Sequence, residues 1–205
     1  MGRMNELMID KMNKEREENH RPMIAKFTQP PQGVPFHQKA ILSYLKANET
    51  RDWMDCLDVG PRSPLTNAIE RAMWWDVTNT VGDLDEDFVP ENYSPPNYNV
   101  ITYSHTIEHQ FNPLFTLLEL KKYLAPGGRI YVSLPQRGKL LWVDHHFHEI
   151  DDTRIRLLFE RAGLRVLDRN ATILGPRPWH HYIRGFRAMA RLFFEKNAIY
   201  KLEVA

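Results

Sequence analysis

The stretch Tyr98-Asn99-Val100-Ile101-Thr102-Tyr103-Ser104-His105-Thr106-Ile107-Glu108-His109 is followed by Asn112-Pro113-Leu114. Leu120-Lys121-Lys122-Tyr123-Leu124-Ala125-Pro126-Gly127-Gly128-Arg129-Ile130-Tyr131-Val132-Ser133-Leu134-Pro135 comes next, and together these decide how the chain is read. Residues 99–104 are a β-rich run and residues 113–124 carry helical periodicity. Pro126-Gly127-Gly128 forces a turn before residues 129–134, which are again β-rich. Strand, helix and strand at this spacing are a βαβ unit, and a βαβ unit implies parallel strands under helical cover.

The same alternation continues outward from this unit. Upstream, residues 54–59 read as a strand, Ser63 as an N-cap and Pro64 as the first position of a helix whose buried stripe is Leu65, Ala68, Ile69 and Ala72. Residues 74–80 read as a second strand. The acidic segment Gly82-Asp83-Leu84-Asp85-Glu86-Asp87 and the proline-broken stretch to Pro96 form a long connection with room for one short strand. Downstream, residues 152–162 are helical, Gly163 stops that helix, and residues 164–168 form a strand behind it. Residues 179–194 are helical by pattern, with Ile183, Phe186, Met189, Ala190 and Phe193 on one side. Near the start, residues 36–47 present Ile41, Leu42 and Leu45 as a buried face. The run Gln29-Pro30-Pro31-Gln32-Gly33-Val34-Pro35 forbids regular structure and reads as a linker. Before it, Met4, Leu7, Met8, Ile9 and Met12 mark an amphipathic helix. The expected organisation is an N-terminal helix and Pro-rich linker over 1–35 and one α/β domain over 36–205, a doubly wound, mostly parallel sheet flanked by helices.

Bulk composition narrows the function classes. In 205 residues, 27 Lys plus Arg stand against 26 Asp plus Glu, a formal net charge of +1. No global field draws the chain to nucleic acid, and no nucleic-acid partner is expected. The single cysteine, Cys56, rules out an internal disulfide framework and fits a reducing compartment. No stretch approaches the roughly 20 apolar residues of a membrane span, and the N-terminus lacks a secretory h-region. A soluble, cytoplasmic protein is expected. The C-terminal aromatic and arginine stripe is compatible with peripheral membrane contact or with covering the sheet, and a homodimer is compatible with the sequence.

Three constellations could carry chemistry. Asp58-Val59-Gly60 ends a strand and opens a loop into a helix, where a glycine lets a ligand approach the backbone. His105-Thr106-Ile107-Glu108-His109 has the spacing of the inverted zinc-protease motif, but that motif needs both histidines on one helix, and here the first directly follows a strand. Asp144-His145-His146-Phe147-His148-Glu149 lies beyond the last strand of the βαβ unit, where an α/β domain presents a loop to its crevice. Imidazoles titrate near neutrality, so His145, His146 or His148 could remove an acceptor proton; capping and packing are the alternatives. Without separated partner ligands, the run does not define a metal site.

The stretch quoted first closely resembles the fourth strand, following helix and fifth strand of class I S-adenosylmethionine methyltransferases. That family typically carries a strand, Glu-His, a proline, a Leu-rich helix and Lys-Pro-Gly-Gly before the next strand. Asp58-Val59-Gly60 matches the opening of its first motif, and Phe147 through Gly163 resembles its usual helix ending in Ala-Gly before a strand. The resemblance covers about residues 53–168. It implies a Rossmann-like fold, S-adenosylmethionine as cofactor and methyl transfer to an O or N acceptor of a small molecule, lipid or glycan. Asp58 and Gly60 carry over as cofactor-binding positions. The usual second and third glycines are replaced by Arg62 and Pro64, so either the loop takes another path and Arg62 pairs with the cofactor carboxylate, or cofactor binding is weakened or lost. In the latter case the chain is a catalytically inactive, methyltransferase-like binding or regulatory protein. Asp83 and Asp85 are the carboxylates available for the ribose hydroxyls, at a spacing that suggests one reduced strand-helix unit, and Ser104 and His105 would face the cofactor crevice.

Overall fold

Ser63 is in place as the start signal of a helix: its Oγ accepts from the Leu65 and Thr66 amides while the Thr66 hydroxyl accepts from the Ser63 amide, a reciprocal capping box. Such local signals organise the computed structural model, which describes residues 34–50, 52–91, 98–137, 141, 146–173, 183–186, 189–191 and 195–205. The helices are α1 (Phe36–Asn48), α2 (Pro64–Met73), α3 (Pro113–Lys122) and α4 (Asp152–Arg161). The strands are β1 (Asp55–Asp58), β2 (Asp76–Val81), β3 (Val89–Pro90), β4 (Tyr98–Ser104), β5 (Leu124–Arg137), β6 (Leu164–Ile173) and β7 (Glu195–Val204). They form one seven-stranded sheet in the order β3-β2-β1-β4-β5-β7-β6. β1 pairs in parallel with β2 and β4, and β4 with β5, whereas β7 runs antiparallel between β5 and β6.

Alternate residues of the central strands face opposite layers. Ile101, Ile130, Val132 and Leu202 join Leu117, Leu120 and Phe159 of α3 and α4 in one core. Cys56, Val100, Tyr131 and Ile199 join Ile41, Leu45, Leu65 and Ile69 of α1 and α2 in the other. A sheet covered on both faces is the doubly wound, Rossmann-like arrangement expected from the sequence. The chain leaves β1 towards β2 and later crosses to β4 on the other side, so the strand order reverses between the carboxyl ends of β1 and β4. That reversal opens a crevice where ligands bind in sheets of this type.

Several elements depart from the expectations. β2 begins at Asp76 rather than at residue 74, because Trp74 adopts φ 64 as the left-handed cap of α2 and donates its N–H to the Glu70 carbonyl. Pro126-Gly127-Gly128 does not precede β5 but lies within it. Tyr98 pairs with Leu124 and Val100 with Arg129, so the residues between are looped out, with Gly127 at φ 76. β3 is two residues long and antiparallel to β2, consistent with a reduced unit at that edge. β7, which no local sequence signal marks, lies between β5 and β6. Of residues 179–194, Phe186 and residues 189–191 are helical, and others of that segment lie outside the described residues, as do the expected helix over 4–16 and the linker up to Gly33. No helix among the described residues is long and apolar enough to cross a membrane.

Candidate functional site

At the end of β1 the chain turns through Gly60, whose φ of 103 is in the region that disfavours side chains. The Gly60 amide donates to Thr80 Oγ1 at 2.8 Å, and Asn79 Nδ2 donates to the Asp58 and Gly60 carbonyls, each at 3.1 Å. The loop is thereby fastened to β2 from behind, while a Cβ built on Gly60 would meet no atom of the described residues within 4 Å. The space in front of Gly60 is open.

Asp58 is buried, and its carboxylate lies within the protein's own network. Thr66 Oγ1 donates to one oxygen at 2.6 Å and Thr102 Oγ1 to the other at 2.7 Å, which ties β1 to α2 and β4. Burial pushes its carboxyl above the usual range, against the hydrogen bonds from Thr66, Thr102, Ser63 and Asn79. Asp58 thus shapes the loop, and Gly60 is the residue of this pair that borders open space.

Arg62 does not fill the hollow. Its guanidinium turns along α2 to Glu70 at 2.5 Å and Asn67 at 3.2 Å. Pro64 is absorbed as the first residue of α2, where no amide hydrogen is required. The two acidic positions beyond β2 are used locally. Asp83 accepts from the Asp85 amide at 2.9 Å, and Asp85 accepts from the amides of Phe111 and Asn112 at 3.0 and 2.8 Å, docking the acidic loop onto the approach to α3.

The tip of β4 gathers a group of titratable side chains. Ser104 Oγ shares a 2.9 Å hydrogen bond with Ser133 Oγ of β5. His105 adopts φ 52, a left-handed conformation for a non-glycine residue, which aims its ring across the strand ends. Its Nε2 is 2.9 Å from Asn197 Oδ1 of β7, and its Nδ1 is 3.5 Å from Glu108 Oε1. The buried Glu108 stands on a 3-10 turn (Ile107–His109). Burial pushes its carboxyl up, but the His105 hydrogen bond and the His105 and His109 charges outweigh that and hold it below the usual range. His109 Nε2 approaches the same oxygen at 3.9 Å, and the His109 ring meets the His146 ring edge-on at 4.8 Å. With His105 on the strand tip and His109 on a three-residue turn, the two histidines do not share a helix, and the peptidase geometry is absent.

The histidine run is divided by the fold. His145 lies outside the described residues. His146 joins the cluster: its Nδ1 is 3.0 Å from Glu149 Oε1 and 3.1 Å from Arg137 Nη1, and Arg137 pairs in turn with Glu195 at 2.7 Å. His148 sits to one side, its amide bonded to the Glu108 carbonyl at 3.2 Å and its Nε2 3.4 Å from the Phe111 carbonyl. Four residues of this neighbourhood were not singled out from the sequence. His37 of α1 stacks on His105, while Arg137, Glu195 and Asn197 come from β5 and β7. No local signal marks them; they reach the site only through pairing between distant segments.

A family model described as "Methyltransferase domain" matches residues 34–169, more than half of the 205-residue chain, and the chain therefore belongs to that family. It is an enzyme of the methyltransferase class. Among solved structures, one chain covers 90% of this protein and is itself covered to 94%, at 16% identity and a TM-score of 0.60. It is described as a methyltransferase, in complex with the Trm112 methyltransferase activator of Haloferax volcanii. A SAM-dependent methyltransferase of Archaeoglobus fulgidus aligns over 80% of this chain and 94% of its own, at 12% identity and a TM-score of 0.53. A SAM-dependent methyltransferase of Leishmania major aligns over 81% and 71%, at 12% identity and a TM-score of 0.53. At these identities the likeness is one of fold. No curated protein matches the chain.

Proposed function

We propose that this protein transfers a methyl group from S-adenosylmethionine to an oxygen or nitrogen of a small molecule, lipid or glycan in the cytoplasm. The observation that carries this reading is the open space before Gly60 at the reversal point of the sheet, with Arg62 turned away from it. The missing second and third glycines therefore do not close the loop, because the side chains that replace them lie along α2 or within it. The residues fit the cofactor: Gly60 offers backbone at close approach, Asp58 braces the loop from beneath, and Ser104 and His105 border the strand end. Both oxygens of Asp85 hold amides, and Asp83 accepts from the Asp85 amide. Asp83 is assigned to the ribose by its position alone, as the carboxylate nearest the end of β2 in sequence, and Asp85 to holding the loop.

Bound S-adenosylmethionine supplies an electrophilic methyl group on a sulfonium, so the protein has to align donor and acceptor and exclude water. His146, which among the described histidines of its run stands in the cluster at the tip of β4, is assigned to the acceptor side, and Glu149 orients its ring. Isothermal titration with S-adenosylmethionine tests the reading. Saturable one-to-one binding is the expected result; absence of heat at millimolar ligand overturns it and leaves a binding or regulatory protein on a methyltransferase scaffold.

A further inference from the structure

The tip of β4 gathers more imidazole and carboxylate groups than methyl transfer requires. Among the described residues, one ligating atom from each of Glu108, His109 and His146 lies within 4.8 Å of the other two. Glu108 is 1% exposed; its Oε1 faces His105 and His109, and its Oε2 is buried with no hydrogen-bond partner among the described residues. A buried carboxylate oxygen without a donor is costly and calls for a compensating group. The His146 ring stands between two groups: its Nδ1 is 3.0 Å from Glu149 Oε1 and 3.1 Å from Arg137 Nη1, and its Nε2 is 3.4 Å from the same guanidinium nitrogen, which has to give way for a cation to reach the ring. Three carboxylates, Glu108, Glu149 and Glu195, stand against two guanidiniums, Arg137 and Arg191, whose closest distances to Glu195 are 2.7 and 3.9 Å. The carboxylates of this group outnumber its guanidiniums by one.

The ligands come from two separate segments, the turn after β4 and the loop after β5, joined by the His148 amide on the Glu108 carbonyl. Ligands of one tetrahedral centre at about 2.1 Å stand roughly 3.4 Å apart, so closing the trio takes side-chain torsion on the order of 1 Å.

We propose that Glu108, His109 and His146 bind one divalent first-row transition cation of the zinc or cobalt type. Two imidazole nitrogens and one carboxylate oxygen match such ions and match magnesium or calcium poorly. Three protein ligands leave one coordination position of a tetrahedral centre open. Resting on the methyl-transfer reading, this deepens it: the open position takes an acceptor hydroxyl and lowers the cost of releasing its proton to solvent. The oxygen then takes the methyl group as the carbon–sulfur bond breaks and S-adenosylhomocysteine leaves, which selects oxygen acceptors and makes His146 a ligand rather than a base.

The test is titration of the full-length, tag-free, metal-stripped protein with Co2+, followed by calorimetry and by the visible absorption of protein-bound cobalt. The expected result is one Co2+ per chain, with affinity lowered at least about tenfold in His109→Ala and in His146→Ala. Glu108→Gln, which keeps the shape of the side chain, weakens binding similarly and decides the matter where an alanine variant fails to fold. No binding at millimolar Co2+, or unchanged affinity in these variants, overturns the site. S-adenosylmethionine titrated into the same samples separates the two readings: cofactor binding without cobalt binding sinks the cation alone, and loss of cofactor binding in the wild type sinks the methyl-transfer reading.

Discussion

The imidazole of His37, in the first turn of α1, lies 4.2 Å from that of His105 at the tip of β4, with the rings tilted by 40°. This contact brings a helix from the start of the domain over the carboxyl end of its central strands. It also places an ionisable ring where a charge is unwelcome. Burial is the main reason that His37 is lowered to about 4, the neighbouring His105 adds to it, and Glu108 opposes it.

A pH dependence of stability follows. Below about pH 6.5 the unfolded chain takes a proton at residue 37 that the folded chain refuses until about pH 4, so stability falls as pH drops through that window. The loss amounts to about 2 kcal/mol after allowance for partial exposure. Urea denaturation from pH 7 to pH 4 should show His37→Gln losing less stability than the wild type. Parallel curves for the two proteins would show that His37 is protonated freely in the fold.

Gly60→Ala separates folding from binding. The new Cβ meets nothing within 4 Å among the described residues, so the folding cost is the backbone strain of φ 103, about 1–2 kcal/mol. S-adenosylmethionine affinity should fall more than that strain explains, by at least about tenfold, or roughly 1.4 kcal/mol, because the methyl group occupies space assigned to the ligand. Calorimetry on the folded variant checks this, and equal affinity would move the cofactor away from Gly60.

The strand-helix alternation, the α2 start at Ser63-Pro64 and the α4 stop at Gly163 were legible in the sequence because each rests on local chemistry: a cap, a ring-locked φ, or a glycine at φ 68. β7 was not. Buried Asn197 and Glu195 interrupt its hydrophobic pattern, and their burial makes sense only beside His105 and Arg137. The site divides in the same way. Gly60 could be placed from its position between a strand and a helix, whereas the choice of His146 over His148 depends on how the loop after β5 folds back on Glu108. The polar partners of Asp58 were equally hidden, since Thr66 and Thr102 lie 8 and 44 residues away.

Arg62→Ala tests whether the guanidinium has a second position. Its ion pair with Glu70 is exposed, so stability should change by less than about 1 kcal/mol. If Arg62 stays on α2 when the cofactor binds, S-adenosylmethionine affinity should remain within about twofold. A tenfold loss in calorimetry would show instead that Arg62 swings onto the cofactor carboxylate.

Thr102→Val removes one hydroxyl from a side chain that is completely buried and keeps its shape. One oxygen of Asp58 then loses its 2.7 Å donor, at a cost of about 1–3 kcal/mol. The penalty should itself depend on pH. Burial already raises the Asp58 carboxyl, and loss of Thr102 raises it further, so the protonated form becomes the better-tolerated state of the folded chain. A group raised on folding contributes stability that is present at low pH and lost as pH rises through its folded value. The melting temperature of Thr102→Val should therefore lie furthest below wild type near pH 7 and approach it towards pH 4. A constant difference across that range would mean that Asp58 is not ionised in the native protein at neutral pH, and that Thr102 serves β4 only through packing.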